Sequence, residues 1–291
     1  MIQTIRSDTL EVSVDTFGAE LASIRSLADG MEYLWQGDPA YWGRRAPILF
    51  PVVGKLSDGI VRFDGREYVL PQHGFARDEE FEPVEATVDT LSFRLHDRPE
   101  LLKRYPFRFE LTVRYQLTDG WITVTYEVHN PQNTPVWFSI GAHPGFACPM
   151  ISGHAFEDYM LEFDEPEKCP RHLIDNGLIR QETEPFLNNQ RLIHLDQQLF
   201  DNDAIVLKGM RSGGVTLKSP KTEKSVRVEF PGWPYLGIWS KPGGAPFLCI
   251  EPWYGIADSA GFRGELNERE GILRLEPDGV FRCDHRILIG V

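Results

Sequence analysis

Leu111-Thr112-Val113-Arg114-Tyr115-Gln116-Leu117-Thr118-Asp119-Gly120-Trp121-Ile122-Thr123-Val124-Thr125-Tyr126-Glu127-Val128 is the stretch that decides the fold. Apolar and polar residues alternate on both sides of Asp119-Gly120, which is the period of a strand with one buried face. An Asp-Gly pair between two such runs predicts a tight hairpin. The same grammar recurs upstream, where Ile60-Val61-Arg62-Phe63 and Glu67-Tyr68-Val69-Leu70 flank Asp64-Gly65.

Working outward, short alternating runs continue to both ends of the chain. Toward the N-terminus they are residues 9–14, 21–27 and 91–95; toward the C-terminus, residues 136–140, 159–163, 204–207, 215–217, 225–230, 272–275 and 281–288. One helical turn is expected, at residues 99–105. Turn residues separate the runs at strand-length intervals and no long helical pattern alternates with them, which argues against α/β architectures. The expected fold is all-β, a large antiparallel sandwich, with residues 1–291 as one domain and no linker or repeat to divide them.

Composition narrows the function. The formal net charge of −13 and the absence of clustered Lys and Arg argue against nucleic acid or an anionic membrane as partner. No apolar run reaches the roughly 20 residues of a membrane span, and the first residues lack the pattern of a secretion signal. Cys148, Cys169, Cys249 and Cys283 have no metal-type spacing and are expected as reduced thiols of a cytoplasmic protein.

Four stretches carry chemistry. Phe138-Ser139-Ile140-Gly141-Ala142-His143-Pro144-Gly145-Phe146 ends a strand at a histidine that Pro144 prevents from simply continuing the ladder. Imidazole suits proton transfer near neutral pH. Phe247-Leu248-Cys249-Ile250-Glu251-Pro252-Trp253-Tyr254 sets a carboxylate in an apolar strand end, where desolvation disfavours its charge and fits it for general base. A buried glutamate paired with an arginine is the structural alternative. Tyr41-Trp42-Gly43-Arg44-Arg45 offers an arginine fork among aromatics, and Gln72-His73-Gly74-Phe75-Ala76-Arg77-Asp78 places a second histidine in a turn. Ordinary surface arginines and a structural loop histidine are the alternatives for these two.

Together these four motifs, in this order, resemble the aldose 1-epimerase (galactose mutarotase) superfamily, and most closely its LacX-like branch. The resemblance runs nearly end to end. It implies a β-supersandwich with an open cleft and interconversion of the α and β anomers of an aldose. It implies His143 as general acid and Glu251 as general base, facing each other across a sugar-sized hollow. It further implies Arg44 and His73 as substrate-binding residues, with Asp203 as a sugar-binding aspartate, although Arg45 and Asp201 lie close enough to compete. Phe75 and Trp239 are expected as apolar contacts by neighbourhood. The expected partner is a small sugar, with no cofactor and no metal. The loops around His73 and Arg44 differ from the galactose-specific branch, so the identity of the sugar stays open. A hexose 6-phosphate mutarotase and a non-catalytic sugar sensor are the alternatives.

Overall fold

The computed structural model describes residues 1–290, and strands dominate it. Thirteen strands form the path of a 15-stranded sheet, in the order 48–49, 140–142, 247–254, 235–239, 205–208, 160–175, 214–219, 222–229, 280–290, 121–129, 110–118, 90–96 and 82–86. Strand Gly145–Ala147 branches off Phe247–Tyr254, and Leu178–His194 branches off Met160–Asp175. The paired strands within this sheet are antiparallel. A three-stranded sheet of Ile2–Arg6, Leu10–Asp15 and Glu20–Ser26 packs against it. Val12, Val14 and Ile24 share one core with Val113, Val124 and Ile287.

The deciding hairpin forms with the expected alternation. Leu111, Val113, Tyr115, Leu117, Ile122, Val124, Tyr126 and Val128 are all buried, each contributing about 1.5–3 kcal/mol by leaving water. At its turn Asp119 and Gly120 have φ of 50° and 79°, the pair of positive values that matches the twist of the flanking strands. Asp64-Gly65 turns the same way. The expected helical turn is a short helix, Pro99–Leu102.

Two expectations need correction. The run Val136, Phe138, Ile140 is not one strand. Val136–Phe138 pairs with Leu273–Leu275, the chain shifts at Ser139, and Ile140–Ala142 enters the large sheet. The second difference is larger. The run at 159–163 is the start of a strand reaching Asp175, which pairs with Leu178–His194 in a long hairpin. Pro166, Pro170, Pro185 and many charges break its alternation, and register shifts interrupt its ladder. Its turn is nevertheless Asn176-Gly177 between apolar pairs, a signal of the same kind as Asp119-Gly120.

Candidate active site

The strand Phe247–Tyr254 is buried along nearly its whole length, and its two faces do different things. Leu248 and Ile250 point into the main core. Phe247 and Cys249 cluster instead with Trp35, Trp42 and Trp239, and Trp253 with Val206, Ile256 and Trp239. The two-residue period puts Glu251 on this second face, which floors a cavity of about 350 Å³. That volume lies within the range of small-molecule sites.

His143 reaches the same floor from the adjacent segment, residues 140–147. Gly141 pairs with Trp253 and Gly145 with Cys249. Between these pairs the ladder opens, so His143 stands opposite Glu251, two residues in from each end. Their side chains meet directly, with His143 Nε2 3.1 Å from Glu251 Oε2. The hollow expected between them is therefore beside them: the two groups touch at its floor. Nor is Glu251 paired with an arginine.

Aromatic rings fix the imidazole. Trp42 stacks on it at 4.9 Å, while Trp239 and His73 meet it edge-on at 5.8 and 5.7 Å. Burial pushes the His143 pKa down to about 3, with Arg77 and Arg44 adding to the effect against a favourable backbone hydrogen bond. Burial pushes the Glu251 carboxyl well up, and the charge of Asp203 pushes the same way; the nearby Trp253 indole N–H opposes them. Both charged forms are costly here. The pair therefore favours holding one proton between Oε2 and Nε2, since two would leave a buried imidazolium and none a bare buried carboxylate.

His73 sits in a backbone clamp. Its N–H donates to the Gly54 carbonyl at 2.9 Å, and Gly54 N–H donates to its Nδ1 at 3.2 Å. With Nδ1 accepting, the neutral ring carries its proton on Nε2, 3.2 Å from the Gln72 side-chain nitrogen, so that amide accepts the proton only when turned to present its oxygen. Burial and the neighbouring positive groups hold His73 well below its usual pKa. The turn needs glycine next: Gly74 has φ of 71°, and a Cβ there would lie 2.2 Å from the Phe50 carbonyl oxygen.

Asp203 lines the cavity and Asp201 does not. The loop that carries Asp203 hangs on a buried arginine, Arg171. Its guanidinium donates to the carbonyls of Leu199 at 3.0 Å and Asp203 at 2.8 Å. Trp239 also lines the cavity.

Two expected contacts lie elsewhere. Phe75 is fully buried in the core, against Phe50, Tyr105 and Phe109, because the chain reverses at Gly74 and turns the following side chain inward. Arg44 is turned away to Asp78 at 2.6 Å and the Arg77 carbonyl at 3.3 Å. It lines a separate depression with Arg45, Glu20 and Asp78. The arginine in the cavity wall is Arg77, whose Nη2 donates to the Gln72 carbonyl at 2.7 Å and whose buried Nε makes no hydrogen bond, with Asp78 Oδ2 4.0 Å away.

The wall also contains residues that motif reading passed over. Ile174, Gly177 and Ile179 come from the tip of the long hairpin. Ile179 N–H donates to the Asp258 carbonyl at 2.8 Å, which ties the tip to the segment after Glu251. Asp258 is itself a buried hub: it accepts from Arg269 Nε at 2.5 Å and from the backbone N–H of Ser57 at 2.8 Å. The Asn-Gly turn could have found the hairpin; nothing local marks Arg171 or Arg269.

Comparisons with known proteins give the family and the fold. The family model described as aldose 1-epimerase matches residues 1–265. The chromosomal protein LacX of Lactococcus lactis subsp. lactis is 39% identical over 283 residues, covering 94% of each chain. Among solved structures, a galactose mutarotase related enzyme from Lactobacillus acidophilus superposes with a TM-score of 0.95 at 32% identity, covering 100% of this chain and 98% of its own. A galactose mutarotase-like protein from Lactobacillus casei gives 0.94 at 31% identity, over 99% and 100%. Among the described residues, no helix is long and apolar enough to cross a membrane.

Proposed function

Because the chain belongs to the aldose 1-epimerase family, LacX-like branch, we propose that it is a mutarotase acting on a free aldose, with His143 and Glu251 as its acid and base. The observation that carries this reading is the His143–Glu251 contact on the floor of a cavity walled by Trp42, Trp239 and Trp253.

Ring opening takes the proton from the C1 hydroxyl and breaks the bond between C1 and the ring oxygen, which then needs a proton. Glu251, as carboxylate, takes the first; His143, as imidazolium, gives the second. The pair ends with the one proton it began with, having moved it from nitrogen to oxygen. Rotation about the C1–C2 bond presents the other face of the aldehyde, and reclosure runs the transfers backwards. The sugar oxygens replace the direct Oε2–Nε2 contact during the reaction. Each proton transfer of this kind is worth about 10²–10⁴-fold, and holding the ring in place supplies much of the rest. His73, Asp203 and Arg77 are within the lining to hydrogen-bond hydroxyls, and the indoles to cover the apolar ring face.

A phosphorylated hexose is the second reading, because Arg77 brings a guanidinium to the cavity wall. A dianionic phosphate would meet one guanidinium and the carboxylate of Asp203 in this wall, which suits a neutral sugar better. Anomer-resolved NMR exchange over common aldoses and their 6-phosphates tests both. Acceleration of a free aldose is expected; higher kcat/KM for a 6-phosphate would select the second reading, and no acceleration with any sugar would sink both.

A further inference from the structure

Mutarotation leaves one reactive group beside the His143–Glu251 pair idle, the thiol of Cys249, which is buried just behind the cavity wall. Cys249 and Glu251 share a face of Phe247–Tyr254, two residues apart, and His143 stands across from Glu251 in the interrupted ladder. The ligand atoms of His143, Cys249 and Glu251 all lie within 4.8 Å of one another, and all three residues are buried. We propose that these three side chains form a site for a zinc-class divalent cation, and that the ion and the sugar exclude each other.

The donor set is chemically matched. Thiolate, imidazole and carboxylate in a tetrahedron are what zinc and cadmium take, and three protein ligands leave a fourth position. His143 and Glu251 line the cavity, so water or an anion would reach a bound ion from that side. Bond lengths of about 2.0–2.3 Å place tetrahedral donors roughly 3.3–3.7 Å apart. The His143–Glu251 separation is 3.1 Å, so the site needs little movement there and a shift of about 1 Å by the thiol.

Charge balance argues the same way. Without an ion, Cys249 is a neutral thiol and His143 and Glu251 share one proton. A divalent ion displaces the thiol proton and the shared proton to the buffer. The thiolate and carboxylate left behind neutralise it, so the buried net charge does not change. Ordinarily a charge entering such a place is strongly opposed; here the exchange avoids that opposition. The ion uses the two groups that the proposed reaction needs, so occupancy and catalysis are mutually exclusive. That second clause rests on the mutarotase reading, whereas the binding itself does not.

Cadmium titration followed by the ultraviolet charge-transfer band of a cadmium thiolate reads the site without any sugar. The wild-type protein is expected to develop the band at one ion per chain, with about two protons released by calorimetry in buffers of different ionisation enthalpy. Cys249→Ala should abolish the band, keep mutarotation and weaken zinc inhibition more than about tenfold; Cys148→Ala and Cys283→Ala should keep the band. Cys249→Ser is the second variant should the alanine protein fail to fold. No band in the wild type, or a band or undiminished zinc inhibition in both Cys249 variants, overturns the proposal. If no aldose is turned over at all, the cadmium band still decides the binding.

Discussion

His143 and Glu251 face each other where the antiparallel ladder is interrupted, between the pairs Gly141–Trp253 and Gly145–Cys249. Their 3.1 Å contact is thus built by strand register rather than by loop placement. Groups that trade one proton act as a unit, and removing either disables the other. Glu251→Gln and His143→Asn should each lower kcat by about 10²–10⁴-fold. The double variant should fall little further. Polarimetry on freshly dissolved sugar measures all three; multiplicative losses would show two independent roles.

The two arginines separate cleanly. Arg77 lines the cavity, while Arg44 is spent on Asp78 in the adjoining depression. Arg77→Ala should raise KM about tenfold or more, the size of one lost charged hydrogen bond, whereas Arg44→Ala should move KM by less than about threefold. Initial-rate kinetics decide it, and the reverse order would restore Arg44 as the sugar contact.

Arg171 acts at one remove, by gripping the carbonyls that shape the Asp203 loop. Arg171→Met should raise KM several-fold with kcat lowered less. Arg171→Lys should recover only part of this, because an ammonium cannot span both carbonyls as the fork does. An equal fall in kcat and kcat/KM would contradict a positioning role.

Arg269 and Asp258 form an ion pair that is 6% and 5% exposed. Arg269→Met leaves a buried carboxylate with only its backbone donor, at a cost of about 3–5 kcal/mol. Adding Asp258→Asn should return part of that loss. Urea unfolding measures both, and a cost below about 1 kcal/mol for the single change would mean the pair contributes little.

His285 is buried in the sheet interior, stacked on Tyr126 at 5.8 Å, and burial pushes its pKa down to about 3. In the unfolded chain it titrates near 6.5. Between those values the unfolded state binds the extra proton, so stability falls as pH drops from about 6.5 toward 3, at up to roughly 1.4 kcal/mol per pH unit for each such group. His143 and His73 work in the same direction. Glu251, whose pKa is raised, works oppositely above 4.5. His285→Phe should flatten the acid limb of the Tm–pH curve while leaving neutral-pH stability within about 1.5 kcal/mol. An unchanged acid limb would show that His285 is not among the groups responsible.

The all-β class was legible because the alternation of Leu111 to Leu117 and Ile122 to Val128 is strict and their turn is marked. The four motifs were legible because their residues are rare in such contexts. What could not be read is what depends on distance along the chain. Phe75 and Arg44 stand beside true cavity residues in sequence, yet one reversal at Gly74 and one carboxylate at Asp78 send them elsewhere. Ile174 and Ile179 reach the cavity on a hairpin whose prolines hide its period. Arg171 and Arg269 earn their positions only from partners dozens of residues, or a turn of sheet, away.

The strand Val280–Gly290 lies in the middle of the great sheet, with Thr222–Glu229 on one side and Trp121–His129 on the other. During synthesis the two halves therefore have no shared ladder until these residues leave the ribosome, and each waits with an open hydrogen-bonding edge. A nonsense change shortly before position 280 would delete this strand and leave a bisected sheet whose loose edges invite aggregation.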